Sequence, residues 1–260
     1  MPKSLTRATL TALILITLAA LLLRLYALDA VRFNIDHAYP IWQALRTLHY
    51  GEWPLVGQAT SVLFANPALT GYLYLPPLML WPSPLAVYGW VVALNTLAIP
   101  LTFHTARALL KRDALALIAA TLMAFNPWVI EYSRTTWVQS LMPFFVTLIT
   151  ALMVPLWLGT AQRRGVRTLA ALVTATLFTQ TYLLAFWAVI PMGLLSLIFW
   201  RRMAWRWVAA GVLLFTLASA AYGLTLLQNP NANLNRTSEF AAKPASLSGE
   251  ALSHALRLVT

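Results

Sequence analysis

The chain contains no cysteine and only seven carboxylates in 260 residues. The first absence excludes a disulfide framework and thiolate metal sites, and it leaves the redox compartment unread. The second accompanies a charged fraction of 10% against a hydrophobic fraction of 60%. With a mean hydropathy of +0.71, that balance excludes the solvated surface of a soluble domain. Long internal repeats and low-complexity tracts are also missing, so neither a solenoid nor an inverted-repeat transporter is signalled. No histidines and carboxylates stand at metal-site spacing. What the chain does have is basic charge, 18 Lys and Arg. These residues fall in short clusters between apolar runs, where they act as topology signals and not as a nucleic-acid footprint.

The apolar runs predict an all-α fold, a polytopic transmembrane bundle of about seven spans. The first is Ala8 to Leu28, too long for a signal peptide and without a clear small-residue cleavage site. Pro84 to Leu110, Ala114 to Ile130 and Trp137 to Leu158 follow. Thr168 to Trp200, 33 residues, divides into two short spans at Gln180, Thr181 and Tyr182, and Trp207 to Leu227 is the last. The segment from Pro67 to Pro82 is short and carries Pro76 and Pro77, so it reads as re-entrant or interfacial. Residues 1–227 then form the membrane domain. Residues 228–260 form a polar outer stretch and, from Ser246, the start of an amphipathic helix at which the chain stops, as a fragment of a longer protein would.

With the amino terminus in the cytoplasm, eleven of the 18 basic residues fall inside, in clusters around Lys3, Arg107, Arg163 and Arg201. Six of the seven acids fall outside, Asp113 being the exception. The first outer loop runs from about residue 29 to 83, longer than a connector needs to be. Within it, Arg32 to Glu52 reads as an amphipathic helix lying on the membrane, with Ala38, Ile41, Trp42, Leu45 and Leu48 on one face and Gln43, Arg46 and Thr47 on the other.

Two outer stretches hold the candidate chemistry. The first, Asn34 to Tyr39, contains Asp36 and His37; the second, Asn126 to Gln139, contains Glu131 and Arg134 three residues apart, with Trp137 three further on. A carboxylate at the membrane boundary can act as a general base or bind a divalent cation such as Mg or Mn. An arginine beside it can hold a phosphate. We therefore take Asp36 as the candidate catalytic residue, and His37, Tyr39, Glu131, Arg134 and Gln139 as candidate substrate-binding residues.

Each has a plainer reading. Charged residues at span ends often only face water, and Glu131 and Arg134 can simply pair along a helix. His37 and His49 are expected to face solvent or headgroups, and His104 to be a hydrogen-bonded packing residue. A transporter or flippase is the alternative class; it would use polar groups at mid-membrane, for which Asn95, His104 and Gln180 are the candidates. A structural subunit without chemistry is the third, and the long outer loop weighs against it.

A short basic amino terminus, one span, a long outer loop with an early aspartate, a proline-containing apolar segment and an outer loop running from Asn126-Pro127 through Ser133-Arg134 to Trp137-Val138-Gln139 together form a pattern. It resembles the integral-membrane glycosyltransferases of the GT-C class, in the branch of the protein O-mannosyltransferases and lipid A aminoarabinose transferases. The resemblance covers most of residues 1–227, through architecture and short motifs. It implies inverting transfer of a sugar from a polyprenyl-phosphate donor to a protein, lipid or glycan acceptor on the outer face of a bacterial plasma membrane. On this pattern Asp36 is the base or the carboxylate that orients the acceptor, Glu131 falls near a second acidic position, and Arg134 suits the donor phosphate. The chain departs from the family in having His37 where many members have a glutamate, and Asn66-Pro67 about where relatives often have His-Pro-Pro. Members also run to roughly twice this length.

Overall fold

The computed structural model describes residues 5–60 and 65–228. Among them are eleven α-helices and one two-stranded hairpin. Helix α1 spans Arg7–Leu25 and ends in a 3-10 turn, Leu28–Ala30. The outer segment follows as α2 (Ile35–Tyr50), strands β1 (Val56–Ala59) and β2 (Ala65–Pro67), α3 (Leu69–Leu73) and α4 (Leu75–Leu80). The bundle continues with α5 (Pro84–Leu110), α6 (Asp113–Phe125), α7 (Pro127–Ser133) and α8 (Met142–Trp157). It closes with α9 (Arg164–Thr181), α10 (Phe186–Ile198) and α11 (Trp205–Gln228).

Three helices, α1, α5 and α11, are long and apolar enough to cross a membrane, and a fourth crossing arises if α6 and α7 form one broken span. The pair bends by 56° at Asn126. Pro127 has no N–H to continue α6, while the Asn126 side chain accepts the Val129 N–H at 3.2 Å and starts α7 afresh. The expected span from Trp137 is shorter than predicted, because Arg134 to Leu141 is irregular and the helix begins only at Met142. The division of the 33-residue run falls where it was placed, α9 ending at Thr181. Lys3, Glu239, Glu250 and the helix expected from Ser246 lie outside the described residues.

The core has two parts. Ala116, Ala120 and Ala124 recur every fourth residue along α6 and, with Ala20 of α1 and Ile99 and Phe103 of α5, bring three helices close. Leu141, Phe145, Ile149 and Met153 of the α8 region meet Val87 and Val91 of α5, Phe178 of α9, and Ile41 and Tyr74 of the outer segment. Phe145 and Phe178 stack with centroids 5.4 Å apart.

The outer segment corrects two expectations. It is not wholly helical, since β1 and β2 pair antiparallel. Gly57 permits that approach, because a Cβ there would lie 2.7 Å from the Pro67 carbonyl oxygen. In α2 the buried face includes Gln43 and Thr47, which read as polar, while Trp42 and Leu48 are exposed. The cause is tertiary: Gln43 Nε2 donates to the Val56 carbonyl at 2.8 Å, and the Thr47 hydroxyl donates to that of Glu52 at 2.7 Å. Three further bonds hold the segment on the bundle. Thr70 Oγ1 donates to the Thr181 carbonyl, Asn66 Oδ1 accepts the Leu183 N–H, and Tyr222 Oη donates to the Ala65 carbonyl.

Candidate functional site

Where α1 ends and α2 begins, the chain surrounds a cavity of about 820 Å³, whose lining includes Arg32, Asp36, His37, Glu131, Arg134 and Trp137. Four of the six residues singled out in the sequence therefore share one cavity, although they come from segments a hundred residues apart. Tyr39 and Gln139 do not line it. The Tyr39 ring lies 5.5 Å from that of Trp42, and the Gln139 carbonyl takes the Met142 N–H at the start of α8.

The first turn of α2 is built by Asn34. Its side-chain oxygen accepts the N–H groups of Asp36 and His37, and His37 Nδ1 accepts the Asn34 N–H at 3.2 Å, completing a reciprocal cap. The expectation of a solvent-facing His37 is thus corrected, for it is only 6% exposed. As an acceptor through Nδ1, a neutral His37 carries its proton on Nε2. Burial holds its pKa below the ordinary histidine value; Asp36 opposes that shift and Arg32 adds to it.

Asp36 stands in the same first turn, at the positive end of the helix. Gln58 of β1 donates from Nε2 to Asp36 Oδ1 at 2.6 Å. Pro40, with no N–H, also cannot return a helical bond to the Asp36 carbonyl. The carboxylate is therefore held on one oxygen and faces the cavity from a fixed turn.

The opposite wall is α7 and the turn after it. Glu131 is exposed and makes no ion pair with Arg134, so the intrahelical pair is not formed. Arg134 instead reaches the end of α1, where its Nη2 donates to the carbonyls of Tyr26 (2.6 Å) and Ala27 (3.0 Å). Its Nε is buried without a partner. Arg24 of α1 makes the reciprocal contact. This fully buried arginine donates from Nη1 to the carbonyls of Ala20 and Ala124, and from Nη2 to that of Met123, at the end of α6. Arg134 thus satisfies carbonyls at the end of α1 and Arg24 those at the end of α6, and together they hold the α6–α7 bend against α1. Behind this wall the buried Thr136 ties the two segments together, donating to the His37 carbonyl at 3.0 Å while its own carbonyl accepts the Tyr74 hydroxyl at 3.1 Å.

Gln58, Arg24 and Arg32 were not singled out in the sequence. Arg24 carries a usable signal, a charge inside an apolar run, which by default marks function or a buried partner. Gln58 sits in an aperiodic stretch and offers none.

Among the described residues no three of His, Asp and Glu come together as a metal ion would require. No step is drawn through the Mg or Mn considered from the sequence. Two of the three mid-membrane candidates bond within the protein: Asn95 Nδ2 donates to the Ser140 carbonyl and its Oδ1 accepts the Phe144 N–H, while Gln180 Nε2 donates to Ser219 Oγ. His104 is exposed, and its side chain makes no hydrogen bond among the described residues, which corrects the expected hydrogen-bonded packing residue.

Compared with family models, curated proteins and solved structures, the chain matches none. What the cavity can do is therefore argued from its own groups: a fixed carboxylate, a second exposed carboxylate, and two guanidinium groups with donors left to offer.

Proposed function

We propose that this protein is a membrane glycosyltransferase that moves a sugar from a polyprenyl-phosphate donor to an acceptor hydroxyl at the cavity. One observation carries the reading: Asp36 and two arginines face one opening at the boundary end of an apolar bundle. Such a site suits a substrate with an apolar tail and an anionic head, met by a polar acceptor from water. Asp36, held through Oδ1, takes the acceptor proton at Oδ2. The acceptor oxygen then forms its bond to the anomeric carbon as the bond from that carbon to the phosphate oxygen breaks, and the polyprenyl phosphate leaves with the electron pair. Arg32 and the second arm of Arg134, the Nη1 not committed to α1, are the donors that receive its charge.

In the membrane, α1, α5, the α6–α7 pair, α8, α9, α10 and α11 make seven crossings. Helices α8 and α10, about 24 and 20 Å long at the helical rise, need a locally thinned bilayer. Arg107, Lys111, Arg112 and the α9 and α10–α11 arginines lie at the end opposite the cavity. The positive-inside rule puts that end in the cytoplasm of a bacterial plasma membrane and the cavity outside. The satisfied state of Asn95 and Gln180 favours this reading over a transport path.

Donor binding tests it. A labelled polyprenyl-phosphate sugar should bind the protein in vesicles, and Arg32→Gln should weaken it about tenfold, the loss of one charge-assisted hydrogen bond. Native affinity in both Arg32→Gln and Arg134→Gln would contradict the proposal.

A further inference from the structure

Residues 132–238 contain no aspartate or glutamate. Within that stretch six arginines, Arg163, Arg164, Arg167, Arg201, Arg202 and Arg206, lie where α8 gives way to α9 and α10 to α11. The structure closes these two corners on each other. Arg202 Nη1 donates to the Trp157 carbonyl at the end of α8, and a Cβ on Gly159 would lie 3.8 Å from the Arg202 guanidinium carbon. A methyl on Gly165 would fall on the Trp207 indole.

None of the six forms an ion pair among the described residues; the two pairs present are Arg46 with Glu52 and Arg107 with Asp113. Arg107 thus holds the one carboxylate of this end among the described residues. Helix α9 adds charge of the same sign, since its first turn has no acid and no capping side chain. Among the described residues the converging positive charge has no counter-charge.

The surroundings say what kind of anion fits. Arg201 lies 5.5 Å over the Trp200 ring and Arg202 5.1 Å over that of Phe199. Trp205 and Trp207 are exposed beside them, as amphipathic rings at a membrane boundary are. Helix α10 buries no residue, and Leu194, Ile198, Leu213 and Leu217 leave apolar faces running away from the arginines. We propose that this double corner docks an anionic phospholipid, its phosphate on the arginines and its acyl chains along α10 and α11. The site lies at the opposite end from the cavity, and it stands whether or not the cavity transfers sugar.

The test uses the full chain in neutral detergent, titrated with phosphatidylglycerol and, in parallel, phosphatidylcholine of the same chain length. Native mass spectrometry and thermal unfolding are the readouts. Phosphatidylglycerol should be retained and should raise the Tm, while phosphatidylcholine does neither. The pair Arg164→Gln and Arg201→Gln, both exposed, should cost roughly twenty-fivefold in affinity, at about fivefold per arginine near a lipid surface. Arg164→Lys with Arg201→Lys, which keeps the charge, should bind and so report intact folding. Lys111→Gln with Arg112→Gln makes the same charge change at the α5–α6 corner and should leave binding near native. Equal loss in both glutamine pairs would show undirected charge attraction and overturn the site. Equal retention of phosphatidylcholine would do the same, as would a Tm rise with inorganic phosphate matching that with phosphatidylglycerol.

Discussion

Gln58 holds Asp36, its Nε2 lying 2.6 Å from the carboxylate Oδ1 across 22 residues of chain. This bond ties the hairpin to the first turn of α2, and it leaves one carboxylate oxygen to meet a substrate proton. Replacing Gln58 by Leu keeps most of the side-chain volume and removes the donor. Transfer should fall roughly tenfold or more through loss of orientation, with helicity unchanged. Circular dichroism and a transfer assay on the same preparation check this, and undiminished transfer would make the bond incidental.

Arg24 should matter to stability without touching substrate. Its guanidinium serves the carbonyls of Ala20, Met123 and Ala124 from a fully buried position. Arg24→Met strands carbonyls at the end of α6 and should destabilise the protein by about 2 kcal/mol, seen as a lower midpoint in detergent unfolding. Arg24→Lys, with fewer donors and no planar fork, should fall between.

Acid should loosen the first turn of α2. His37 is a buried acceptor whose folded pKa lies below its unfolded one. Below an unfolded value of about 6.5 the unfolded chain therefore binds the extra proton first, and stability falls as pH drops through this range. Protonation of Nδ1 also breaks the reciprocal bond from Asn34. His37→Gln can keep that cap without titrating, so its unfolding midpoint should fall less between pH 7.5 and pH 5 than that of the native protein. Identical pH slopes would remove His37 from the account.

The packing of α9 on α11 depends on Gly211, the one buried residue of α11. A Cβ there would lie 2.5 Å from the Leu172 side chain. Gly211→Ala should cost about 1–3 kcal/mol through overpacking, whereas Gly223→Ala, with open space around it, should leave the unfolding midpoint near native.

The helices and the four cavity residues were legible because apolar runs and their polar interruptions follow directly from the cost of placing backbone and charge in hydrocarbon. Asp36 and Glu131 were visible as rare carboxylates at the edges of such runs. The faces of α2 were not, because Gln43 and Thr47 are buried by bonds to Val56 and Glu52, partners that periodicity cannot register. Arg134 looked free for a phosphate, yet one of its arms is committed to the Tyr26 and Ala27 carbonyls. Arg24 was visible as a charge inside an apolar run, but the Met123 and Ala124 carbonyls it serves lie on another helix and were not. The hairpin carrying Gln58 is only four and three residues per strand, too short to show an alternating pattern.

The most direct test of the central claim is sugar transfer from a labelled polyprenyl-phosphate donor to acceptor in vesicles containing the native protein, beside Asp36→Asn at matched expression. The account predicts label transfer by the native protein and a loss of at least about a hundredfold in the variant, the scale of removing a positioned base. Equal transfer by both proteins would take Asp36 out of the chemistry and contradict the account.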